Sequence, residues 1–128
     1  MSHDAPKRLA IVIEPRPALA NTVADALMRR GFETLVASTH AGGAALAAQF
    51  ERIDFLVAAV PAPGEDHKGA YLEEARAKNA RLAVVIMLSD PGESVDDAPA
   101  SAIRLVKPFD RHQLERAIDE AMPSDPRC

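Results

Sequence analysis

Lys107 follows the short apolar run Ile103–Val106 and is itself followed by Pro108 and Phe109. A lysine so placed is a cationic site at the mouth of a parallel sheet. Two other polar side chains close apolar runs in the same way, Glu14 after Leu9–Ile13 and Ser89 after Leu82–Leu88. The carboxylates that such a lysine would serve are otherwise largely missing. Group transfer needs more: a carboxylate nucleophile in reach and, for a hard divalent cation, several oxygen ligands. The third apolar run ends Val57-Ala58-Ala59-Val60-Pro61, without an acid. Glu14 is followed by Pro15, which brings neither a side-chain ligand nor a backbone N–H. These residues favour binding over chemistry.

Other chemistries find less support. The four histidines, His3, His40, His67 and His112, have no helical i, i+4 partner and no cysteine nearby, so no zinc site is expected. Gly42-Gly43 lacks the Gly-x-x-x-x-Gly-Lys frame of a phosphate loop. Ser89-Asp90 with His67 is not a hydrolytic triad, because no Gly-x-Ser-x-Gly elbow surrounds the serine. No catalytic residue, no metal and no cofactor is expected, and the chain does not read as an enzyme.

The chain has 128 residues, enough for one domain with a real core. It is 48% hydrophobic but only 4% aromatic, so the core must be aliphatic. A net charge of -4 without a basic cluster argues against nucleic acid as a partner. The single cysteine, Cys128, permits no internal disulfide. Neither a signal peptide nor an apolar stretch of membrane-spanning length is visible, and a cytoplasmic location is expected.

Five apolar runs alternate with segments of helical period. Leu9–Ile13, Phe55–Val60 and Leu82–Leu88 are nearly unbroken aliphatic runs, as strands buried on both faces require. Thr34–Ala37 and Ile103–Val106 are more mixed and suit sheet edges. Leu19, Val23 and Leu27 mark a first helix that Gly31 stops. A second is expected from about His40 to Phe50, its first turn weakened by Gly42-Gly43, and a third over about Gly69–Lys78. Asp90–Ser101 should hold a fourth, but Pro91, Gly92 and Pro99 predict that it is weak or absent. The last helix begins at Asp110, an N-cap with Gln113 three residues on and Phe109 placed to staple onto Leu114. The pattern predicts a doubly wound α/β domain over residues 7–122, a five-stranded parallel sheet of order 2-1-3-4-5, with flexible tails at 1–6 and 123–128. Its crevice is expected beyond the strand ends, between the first and third strands.

In this register the chain resembles the response-regulator receiver domain, the CheY-like version of the flavodoxin-like fold. The resemblance rests on Lys107-Pro108-Phe109, on Ser89 at the hydroxyl position, on Pro63-Gly64 in the loop after strand three, and on Glu14 as the first acid after strand one. It implies that Pro15 stands where the principal metal carboxylate belongs and Ala59 where the phosphoacceptor aspartate belongs. Arg104 replaces the aromatic switch of strand five. The resemblance therefore implies a pseudo-receiver in which Glu14, Ser89, Lys107 and Pro108 are vestigial. Such a chain would act as a stand-alone, phosphorylation-independent docking module in two-component-type signalling. Its partner would be a histidine kinase or another regulator, with Arg104 as a docking contact, and a homodimer is compatible with the sequence.

Two alternatives stand beside it. One is a small-ligand sensor, for a nucleotide or anion near Lys107, Ser89 and Arg104. The other is a receiver phosphorylated at a displaced acid, Glu65 or Asp66; Asp54 lies at the wrong end of strand three. Lys107 is expected to pair with Glu14 in a partly solvated crevice, contributing roughly 0.5–1.5 kcal/mol. Arg104, costly to bury unpaired, is expected to face outward.

Overall fold

Every strand in this chain runs parallel to its neighbours, in the order β2-β1-β3-β4-β5. The strands are β1 (Arg8–Ile13), β2 (Phe32–Ala37), β3 (Phe55–Ala59), β4 (Ala83–Leu88) and β5 (Ile103–Val106). The helices are α1 (Pro17–Met28), α2 (His40–Gln49) and α3 (Arg111–Ala121). The computed structural model describes residues 8–50, 53–59, 77, 82–89 and 102–122. The helices expected over 69–78 (Ala77 apart) and 90–101, the tails, and Glu65, Asp66 and His67 lie outside the described residues.

The aliphatic runs form the three central strands because both of their faces are covered. Alternate residues divide between two cores. Ala10, Val12, Val57, Val85 and Met87 pack with Val23 and Leu27 of α1 and Leu114 and Ile118 of α3. Ile11, Ile13, Leu56, Ala58, Ile86 and Leu88 form the other core with Ala47 of α2. The mixed runs are the edges, as expected. β2 is longer than its aliphatic part, however. Gly31 takes a positive φ of 89°, and Phe32 then enters the core edge-on to Phe55, ring centroids 5.4 Å apart, with the Arg8 guanidinium over its ring.

Local chemistry sets the helix ends. Arg30 Nη1 donates to the Ala26 carbonyl in the last turn of α1. Thr39 caps α2 by accepting from the Gly42 N–H at 2.9 Å. The two glycines do not prevent this helix. A Cβ on Gly43 would stand 2.6 Å from Ile13 Cγ1, so glycine there lets α2 approach β1. α3 carries the expected capping box: Asp110 accepts from Gln113 N at 2.7 Å, and Gln113 accepts from Asp110 N at 2.9 Å. Phe109 packs against the core that holds Leu114, consistent with the expected staple.

Candidate functional site

Glu14 continues the line of β1, its N–H donating to the Ala37 carbonyl at 2.9 Å. Its side chain turns inward and is buried, the residue only 1% exposed. Both carboxylate oxygens are engaged. Oε1 accepts from Lys107 Nζ at 2.7 Å, and Oε2 accepts from the Arg16 N–H at 3.0 Å. Lys107 is positioned in turn by its own N–H, which donates to the Leu88 carbonyl at 2.6 Å and fixes the end of β5 against β4. The lysine side chain is 18% exposed and that of Glu14 0%. The expected pair is therefore present, but the carboxylate lies inside the protein and not in an open crevice. That difference raises the cost of breaking the pair, because a lone carboxylate would remain in the interior.

The other positions singled out in the sequence fall around this pair. Ala59 is buried at the end of β3, in register with Met87 of β4. Ser89 is exposed at the end of β4, and Pro15 and Pro108 are exposed on their loops. Asp54 lies at the far end of the sheet, its carboxylate accepting from Leu9 N at 2.9 Å at the start of β1. Arg104 is exposed, as expected for an unpaired cation. It shares its strand face with Val106, which packs into the α2-side core, while Ile103 and Leu105 turn toward α3.

A divalent cation is poorly served by these residues. Glu14 is its one carboxylate among the described residues at this mouth, and both oxygens already bind the ammonium and a backbone N–H. Neither Pro15 nor Ala59 has an oxygen to add from its side chain. No group of three or more His, Cys, Asp or Glu side chains suited to a metal occurs among the described residues. The described residues of this mouth do not by themselves fit Mg²⁺.

Beside the pair lies a pocket of about 530 Å³, lined by Arg16, Leu19, Ser89, Lys107, Pro108 and Phe109 among others. It brings Lys107 and Ser89 together, as expected, but Arg104 does not line it. Its second cation is Arg16, which the sequence reading did not single out. Proline on both sides carries a signal: a residue before proline is held extended, and Arg16 takes φ −90°, ψ 113° as the N-cap of α1. The pocket runs from the β1–α1 turn to the ends of β4 and β5. The expected crevice between β1 and β3 borders the segment after β3, which is outside the described residues.

No helix among the described residues is long and apolar enough to cross a membrane. No protein-family model matches the chain, and no curated protein matches it. Solved structures do. A response regulator receiver protein from Sinorhizobium medicae superposes with a TM-score of 0.76 at 18% identity, over 90% of this chain and 94% of that one. The chemotaxis response regulator CheY4 of Vibrio cholerae gives 0.71 at 16%, over 91% and 100%. A response regulator receiver domain protein from Clostridium thermocellum gives 0.67 at 22%, over 90% and 94%. The fold of this chain is thus the CheY-like, flavodoxin-type fold of response-regulator receiver domains.

Proposed function

We propose that the chain is a pseudo-receiver, a cytoplasmic docking module of two-component-type signalling that works without being phosphorylated. One observation carries this reading: the lysine that would serve an acyl phosphate is bound to the buried Glu14 at 2.7 Å, while a buried alanine stands at the acceptor position. Among the described residues the site offers neither a free carboxylate nucleophile nor a metal-binding set, which supports a function without phosphoryl transfer. Function then falls to surface recognition of a signalling protein, a kinase or another regulator, with the exposed Arg104 as a fixed contact. The test is intact mass after incubation with acetyl phosphate and Mg²⁺. The expected result is an unmodified chain; a stoichiometric phosphate adduct would reject this reading and point to Glu65 or Asp66 as a displaced acceptor.

A second reading, a small-ligand sensor, is favoured by the pocket that joins Lys107 and Ser89 to Arg16. The two readings are compatible, since a ligand in that pocket and a protein at Arg104 would occupy different surfaces.

A further inference from the structure

We propose that the pocket between the β1–α1 turn and the β5–α3 turn binds a small organic monoanion, a carboxylate carrying an apolar body. The proposal rests on the ligand-sensor reading and gives that ligand a chemical class. The volume, about 530 Å³, is that of a small-molecule site. The lining is divided in character. Leu19, Pro108 and Phe109 form an apolar part, and Leu19 and Phe109 are only partly covered by the core beneath them. Arg16, Lys107 and Ser89 form a polar part.

Charge selects among anions. Lys107 is already balanced by Glu14 at 2.7 Å, so the ammonium adds hydrogen-bond donors but no net charge. Among the described lining residues Arg16 supplies the one uncompensated cation; its guanidinium makes no ion pair with another described residue. One net positive charge matches a carboxylate, which an arginine can grip through two parallel bonds. A phosphomonoester carries about −1.5 to −2 at neutral pH and would be under-neutralised. A nucleotide polyphosphate would be more so, and no glycine-rich loop of N–H groups is among the described residues that line the pocket. The apolar part gives the site a reason to prefer a carboxylate with a ring or chain over a bare inorganic anion.

The experiment is an amide-resolved NMR titration of the full chain with phenylpropionate, and with phenylpropanol, acetate and phenyl phosphate as comparisons. Phenylpropionate is expected to shift the amides of Leu19, Ser89 and Phe109. The neutral alcohol and acetate should each bind about tenfold more weakly or worse, and phenyl phosphate no tighter than the carboxylate. Arg16→Gln keeps the backbone N–H that holds Glu14, so the thermal midpoint should be unchanged while phenylpropionate affinity falls about tenfold. No shifts with phenylpropionate, equal binding of the alcohol, or full affinity in Arg16→Gln would overturn the proposal. Phenyl phosphate binding more than tenfold tighter would overturn the monoanion assignment. Binding is read on the purified chain, so it is decided apart from the phosphorylation test and from protein docking.

Discussion

Burying a carboxylate is costly unless its oxygens are engaged, and Glu14 meets that demand with one ammonium and one backbone N–H. Lys107→Met removes the first of these and strands the carboxylate. Because the lysine end reaches solvent, the loss should fall at the low end for a broken buried pair, about 3 kcal/mol in urea unfolding. Adding Glu14→Gln should recover most of it, since the remaining amide needs no counter-charge. Equal losses in the single and double variants would show that the two side chains are not coupled. The partnership was legible in the sequence, since Glu14 and Lys107 both end strands at the same mouth. Its depth was not. Residue spacing tells which strand ends lie together but not how far the turn through Pro15 and Arg16 covers them.

The helices test how closely each element must fit the sheet. Gly42 and Gly43 are adjacent in α2, yet alanine should act differently at the two sites. At Gly42 a Cβ would meet Thr39 Oγ1 at 3.2 Å and Ala37 Cβ at 3.5 Å, so Gly42→Ala should be near neutral, overlap offset by better helix propensity. At Gly43 the methyl would collide with the Ile13 side chain, and Gly43→Ala should destabilise by about 1–2 kcal/mol after the same helical gain. Thermal unfolding of both variants decides it, and adding Ile13→Val, which removes Cδ1 but keeps Cγ1, should relieve the second only in part. Asp110→Ala should cost about 1 kcal/mol by leaving the first turn of α3 uncapped, again read by unfolding. Much of this scale was readable beforehand. The capping box is local, and unbroken aliphatic runs of five to seven residues alternating with helical segments suit strands covered on both sides. What escaped were effects of packing: Phe32 belongs to β2 because Phe55 receives its ring, and Gly43 reads as a weak helix residue until Ile13 is seen beneath it.

Across the whole molecule, the sheet separates two faces that differ in their covering. On the α1 and α3 side, Arg30 joins the helices, bonding the Ala26 carbonyl and pairing with Asp119 at 3.0 Å. Arg104 stands exposed on an edge strand, on the sheet face opposite α3. If that surface docks a signalling protein, Arg104→Ala should lower the affinity for the identified partner several-fold in a binding titration while leaving the unfolding midpoint unchanged. A stability change without a binding change would make it a structural residue. The Glu14–Lys107 bond also has a consequence for the order in which the chain is made. It links residues 93 apart in sequence, and the Arg30–Asp119 bond links residues 89 apart. While the chain grows from its N-terminus, β1 and β2 can pair early, but the cation for Glu14 follows β5 and is made 93 residues later. Over that interval the first strand carries a carboxylate destined for the interior with no partner yet made. The completed sheet therefore has to wait for the last strand, and the nascent domain depends on late residues to close around its earliest ones.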